Sequence, residues 1–213
     1  MREHLESEMA WSPSLLSVGS RVSSGDLICV PSGVAITGSD MDRAANPMSG
    51  LIVRRAIEAD VPAILAIYND AVLHTTASYD YEPRTLEHRL AWFEDHQKND
   101  YAIFVALAPD GTVAGWSALN RYHDRMGYRF TAENSVYVAA PMRGRGIGKA
   151  LLGPLIDAAR ARSLHAIIAA IDGSNAVSVR LHAAFGFETV GHFKQVGYKF
   201  DRWLDVIYME LLL

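Results

Sequence analysis

Residues Ser135 to Leu152 read Ser-Val-Tyr-Val-Ala-Ala-Pro-Met-Arg-Gly-Arg-Gly-Ile-Gly-Lys-Ala-Leu-Leu: an alternating strand, a turn with glycine at every second position, and the start of a helix. A turn of this kind lets successive backbone N–H groups converge, and the helix that opens there adds its positive end to the same spot. The segment therefore predicts a cradle for an anionic, phosphorylated ligand. A nucleotide triphosphate loop requires a glycine five positions before Gly148, where Arg143 stands, and a hydroxyl after Lys149, where Ala150 stands. The dinucleotide fingerprint requires a third glycine three positions after the second, and that position is Lys149. Both readings fail on spacing.

At 213 residues and 50% apolar composition, the chain suits one well-buried domain and is too short for two large ones. A net charge of −4 argues against nucleic acid as partner, since such binders carry a basic stripe. The single cysteine, Cys29, forms no intramolecular disulfide and offers no thiolate metal site. No apolar run is long enough to cross a bilayer, and the acidic start is unlike a secretory signal, so the expectation is a cytoplasmic protein without a membrane partner.

Composition shifts near residue 50. The first fifty residues hold 10 Ser, 5 Gly and 3 Pro with six acids against three Arg, which predicts a loosely ordered extension over 1–50 and one domain over 51–213. Within the extension, 27–30 and 34–36 flank Pro31-Ser32-Gly33 as a marginal hairpin. Downstream the pattern is regular. Strands are expected over 51–55, 101–108, 112–121, 131–138, 165–172, 187–195 and 203–212, with Pro109-Asp110-Gly111 as a hairpin turn. Helices are expected from Asp60, from Thr85, over 148–162 and over 175–185, the last stopped by Gly186. In the second helix Leu86, Leu90 and Phe93 share one side, with Glu87, Arg89 and Glu94 elsewhere. His74, His88 and His96 fall on predicted helix surfaces, and no histidine pair has ligand spacing, so no metal is indicated. Trp92, Trp116 and Trp203 read as core aromatics. The order of elements is α+β, or mixed α/β.

With Arg-Gly-Arg-Gly-Ile-Gly following an alternating strand, the chain resembles the GCN5-related N-acetyltransferases, which bind acetyl-coenzyme A. Thr131-Ala132-Glu133-Asn134-Ser135-Val136-Tyr137-Val138, the C-terminal Gln195 to Asp205 and Ile67-Tyr68-Asn69-Asp70-Ala71-Val72 are similar to the phosphinothricin and methionine sulfone/sulfoximine acetyltransferase subfamily. The resemblance implies the acyltransferase fold, a central mixed, mostly antiparallel sheet flanked by helices, and a homodimer. It implies acetyl-CoA as cosubstrate and transfer to the α-amino group of a small amino acid, a detoxifying activity.

Amine acetylation needs a neutral nitrogen, a polarised thioester carbonyl and a route for the departing proton. The strand period puts Glu133, Ser135 and Tyr137 on one face, and the resemblance makes Glu133 the general base; without it, a solvated strand glutamate is the expectation. Also by resemblance, Val136, Tyr137 and Val138 lie along the pantetheine with a bulge freeing an N–H, and Arg143, Gly144, Arg145, Gly146, Ile147, Gly148 and Lys149 hold the pyrophosphate. The Arg and Lys side chains there either reach outer phosphates or lie solvated. Asn175 is both a helix cap and a match to the family's pantetheine-binding asparagine. His182 occupies a place where the wider superfamily often has a tyrosine; acid, substrate contact and core packing all fit it, with substrate contact ranked first. Arg125 matches a subfamily arginine in the acceptor pocket, joined by His123 and Tyr128, against an ordinary polar loop. A catalytically idle acyl-CoA sensor and an acetyltransferase for another amine are the alternatives.

Overall fold

A computed structural model describes residues 50–213; the hairpin expected within 27–36, and the extension apart from Gly50, lie outside the described residues. Seven strands form one sheet, β1 (Ile52–Arg55), β2 (Ile103–Leu107), β3 (Val113–Arg121), β4 (Thr131–Val138), β5 (Ala166–Asp172), β6 (Glu188–Lys199) and β7 (Arg202–Leu212), in the order β1-β2-β3-β4-β5-β7-β6. Every neighbouring pair is antiparallel except β4 and β5. The helices are α1 (Val61–His74), α2 (Leu86–Lys98), α3 (Ile147–Ala161) and α4 (Ala176–Ala183).

Strand alternation sorts the core into two layers. Ile103, Val105, Trp116 and Ala118 pack with Val61, Ile64 and Phe93 of α1 and α2. Leu119, Ile167, Ala169, Met209 and Leu211 face the other way, against Leu152, Leu155, Ile156 and Ala159 of α3. Leu151, Leu152 and Leu155 are fully buried, each contributing about 1.5–3 kcal/mol by removal from water. That packing fixes the start of α3 against the end of β4.

The pairing of β4 and β5 covers only Thr131–Glu133 against Ala166–Ile168. Beyond it β4 stays with β3 to Val138, while β5 follows β7 to Asp172. The two parallel strands thus part at Asn134, and a cleft opens in mid-sheet towards their C-terminal ends. The connection from Thr75 to Thr85 is tied to both sides of this cleft. Tyr137 Oη donates to Ala77 O on the β4 side, while Lys199 Nζ donates to Thr75 O and Ser78 O on the β6–β7 side.

Several expectations need correction. Asp60 stands at the start of α1 but makes no cap bond to it. Its carboxylate accepts from Ile57 N and from both Arg54 terminal nitrogens, so it closes the preceding turn. Arg89 and His96 are buried, while Leu86 is exposed. The buried side of α2 carries Arg89, Phe93 and His96, and Arg89 lies 4.3 Å over the Tyr68 ring and 4.6 Å over Trp92, an aromatic solvation that hydrophobic counting misses. Trp203 is 62% exposed on the β6–β7 hairpin rather than in the core. Strand β6 runs on to Lys199 because Gln195, at φ 55°, forms an irregularity that the strand crosses.

Candidate active site

The glycine turn has the geometry its spacing implies. Gly144 and Gly146 adopt φ of 78° and 80°, and Gly146 caps α3 in the left-handed conformation. The first helical donor with a carbonyl partner is Ala150 N, to Gly146 O. The six N–H groups from Gly144 to Lys149 have no acceptor among the described residues. Gly148 lies close to α4, where an added Cβ meets Leu181 Cδ2 at 3.1 Å. Such a row of unpaired donors at a helix start fits a diphosphate.

The side chains of the loop divide. Arg145 and Lys149 are exposed. Arg143 turns back, its Nε donating to Val138 O at 3.2 Å and a terminal nitrogen lying 3.7 Å from Asp70. Ile147 is buried in the α3 core, so only its N–H faces the loop.

Along the cleft, Ala139 N donates to Ala114 O and Leu119 N to Ala102 O. Antiparallel alternation then turns the N–H groups of Tyr137, Ser135 and Glu133 to β3 and those of Val136 and Val138 to the open side. The register with β3 is unbroken from Ala132 to Val138, so the expected bulge is absent and the parting of the strands frees these donors instead. Tyr137 differs from expectation too: its ring stacks on Trp116 with centroids 4.8 Å apart, and its N–H belongs to β3. Across the cleft Asn175 caps α4, accepting from Ser178 N at 3.1 Å and leaving its amide nitrogen without a protein partner among the described residues.

Glu133 is the last β4 residue paired with β5, at the apex of the cleft, and is half-buried. Burial pushes its carboxyl above the ordinary range, and His123 nearby pulls the other way. His123 and Arg125 line one recess of about 200 Å³ with Arg121, Arg129 and Arg162, where Asp124 is the single carboxylate. Tyr128 is 40% exposed and packs on His123, with Tyr122 completing the trio. The structure therefore gathers the three expected acceptor residues on one loop, with His123 shared between recess and Glu133. A larger cavity of about 690 Å³ lies against α2, lined by Leu86, Leu90 and Phe93, and includes none of these groups.

His182 is placed differently. It is 3% exposed on the α4 side of the sheet, opposite the face of Glu133. Its Nδ1 is 2.8 Å from Ser178 O, which fixes the proton there, so Nε2 accepts from Asn134 Nδ2 at 2.9 Å. Burial lowers its pKa, and its ring meets Phe187 edge-on at 5.0 Å. The structure gives this histidine a holding role on Asn134. Its polar atoms are spent on the protein.

Sequence reading missed Tyr208, Tyr79 and Asp172. Tyr208 is pushed up by burial and then by Glu133. Tyr79 is pushed up to about 12, by burial first and then by Asp172. Gly197 is what admits Tyr79: a Cβ there would sit 2.4 Å from the ring. None stands in a recognisable motif, and the pairing of β5 with β7, distant in sequence, is what brings them in. Among the described residues no group of His, Cys, Asp and Glu is arranged to hold a metal, and no helix is long and apolar enough to cross a membrane.

Known proteins are similar to this chain over the same region. Residues 53–208 match the acetyltransferase (GNAT) domain. The L-methionine sulfoximine/L-methionine sulfone acetyltransferase of Pseudomonas aeruginosa is 47% identical over 159 residues, spanning 75% of this chain and 92% of that protein. The phosphinothricin N-acetyltransferase of Streptomyces coelicolor is 38% identical over 160 residues, spanning 74% and 94%. A GNAT superfamily phosphinothricin acetyltransferase from Sinorhizobium meliloti, crystallised in complex with acetyl-CoA, superposes with a TM-score of 0.75 at 36% identity, over 77% of this chain and 89% of that one. A parted pair of parallel strands, a donor-rich glycine turn and these matches across the whole of 53–208 together establish that the chain belongs to the GNAT acetyltransferase family.

Proposed function

We propose that the chain transfers the acetyl group of acetyl-CoA to the α-amino group of a small amino acid of the methionine sulfoximine, methionine sulfone or phosphinothricin type, a detoxifying reaction. The observation that carries this is the half-buried Glu133 at the apex of the cleft, between the glycine turn and the His123–Arg125 recess. Acetyl-CoA supplies an acyl carbon activated as a thioester. The N–H row from Gly144 to Lys149 holds the diphosphate, with Arg145 and Lys149 free to add charge outside it. The Val136 and Val138 donors and the Asn175 amide nitrogen orient the pantetheine arm. An Arg125 guanidinium suits the acceptor carboxylate, and the raised pKa of Glu133 suits it to take the proton from the attacking nitrogen near neutral pH.

The division into an extension over 1–50 and a catalytic domain over 51–213 belongs to this proposal, as does cytoplasmic placement. A homodimer is part of it as well, supported by Val196, Trp203 and Leu212, all exposed by more than half on β6 and β7; light scattering tests it. The function itself is tested by thiol release from acetyl-CoA with sulfoximine, sulfone, phosphinothricin and common amino acids as acceptors, wild type beside Glu133→Gln. Acceptor-dependent turnover that falls about 10²–10⁴-fold in the variant is expected. Cofactor binding without turnover in wild type would instead favour a sensor.

A further inference from the structure

Strand β5 lies between β4 and β7 in the middle of the sheet, and six of its seven residues are buried; Ala170 alone is exposed. A bare position at the centre of a sheet is unusual unless something else covers it. The register says what surrounds it. Aligned residues share a face, so Glu133, Ile168 and Glu210 form one row, Ala170 and Tyr208 the next, and Asp172 and Val206 the third. This face is the one on which Tyr137, four residues after Glu133, packs beneath α1. Ala170 is therefore one step beyond Glu133 on the same side, just past the point where β4 has left β5.

Ala170 is flanked by an aromatic pair on the β7 side. Tyr208 stands directly beside it on β7, with its ring 5.2 Å from that of the 54% exposed Phe193. Farther along, Asp172 is 6% exposed, with Tyr79 beside it. Because Ala170 is exposed, a larger side chain at 170 projects outward from the sheet rather than into the core.

We infer that Ala170 floors the acceptor site and that its small side chain, walled by Tyr208, sets the length of amino-acid side chain the enzyme accepts. This rests on the acetyltransferase reading above. A compact acceptor with its amine at Glu133 and its carboxylate towards His123 and Arg125 lays its side chain across Ala170, which favours an unbranched chain over a branched or bulky one.

The test compares wild type with Ala170→Gly, Ala170→Val and Ala170→Leu on a ladder of acceptors: alanine, norvaline and methionine sulfone. Calorimetric titration with acetyl-CoA on each variant reports folding and an intact cofactor cleft. The expected result is a length-dependent loss. Each added carbon at 170 lowers kcat/KM for methionine sulfone about tenfold more than for the shortest acceptor used, and glycine shifts preference to longer chains. Turnover with an unchanged length preference in all three variants overturns the inference alone. Absence of acceptor-dependent turnover in wild type defeats the parent reading and this inference with it.

Discussion

Gly197 and Tyr79 offer a perturbation whose size can be worked from geometry. A Cβ on Gly197 would lie 2.4, 2.9 and 3.0 Å from three carbons of the Tyr79 ring, well inside contact distance, and no other atoms are that near. The ring cannot yield cheaply, because its hydroxyl reaches Asp205 O at 3.3 Å and its backbone belongs to the connection that Lys199 holds through Thr75 O and Ser78 O. Overpacking of this kind costs about 1–3 kcal/mol, and the first distance places Gly197→Ala in the upper part of that range. For a domain of this size, about 2–3 kcal/mol lowers Tm by roughly 4–12 °C. Gly197 has no positive φ, so alanine carries no backbone strain of its own. The assay is a thermal and urea double-mutant cycle with Tyr79→Ala. In the Tyr79→Ala background Gly197→Ala becomes near neutral, giving a coupling of about 1.5 kcal/mol or more. Because the ring borders Asp172, Gly197→Ala also raises the KM for acceptor while leaving acetyl-CoA affinity in place. An equal cost of Gly197→Ala in both backgrounds refutes the reasoning.

Three further outcomes follow from the site. Burial holds the Glu133 pKa above its unfolded value, so kcat/KM climbs with pH through that raised pKa, and His123→Gln, which removes the opposing influence, moves the acid limb upward in a pH–rate profile. The sign for stability is the reverse: the folded state binds the extra proton, so wild type loses stability relative to Glu133→Gln as pH rises from the ordinary carboxylate range through the folded pKa, measured by urea titration across pH. Gly144→Ala meets nothing within 4 Å and costs only its left-handed backbone, about 1–2 kcal/mol, whereas Gly148→Ala presses on Leu181; both weaken acetyl-CoA binding in calorimetry, and unchanged affinity in both contradicts the turn's role. His182→Phe leaves the Asn134 amide buried without its acceptor, costing about 1–3 kcal/mol, while His182→Gln keeps an acceptor oxygen and retains most of the stability; equal losses would argue against the holding role.

Local structure was legible where the pattern is local in sequence. The left-handed glycines of the turn and the Asn175 cap follow from spacing, and β4 forms over the expected Thr131–Val138, whereas the role of Glu133 comes from the family resemblance alone. His123, Arg125 and Tyr128, expected for the acceptor, lie on a single loop and stay together. What escaped depends on partners far along the chain. Ala170, Tyr208 and Asp172 meet only because β5 pairs with β7 rather than β6, and Tyr79 reaches them across 126 positions to Asp205. His182 looked available because its helix face could not be known before α4 was seen to lie on Asn134. Helical periodicity puts Arg89 off the apolar side of α2 and His96 on its surface, although aromatic faces and one asparagine are enough to bury them.

Six backbone donors between residues 144 and 149 are proposed to grip the diphosphate of acetyl-CoA, and calorimetric titration of the purified chain with acetyl-CoA tests that most directly. Saturable association at one cofactor per chain, weakened in Gly144→Ala and equally strong in Glu133→Gln, is the predicted result. No heat of association with wild-type protein, or binding indifferent to Gly144→Ala and Gly148→Ala alike, contradicts it.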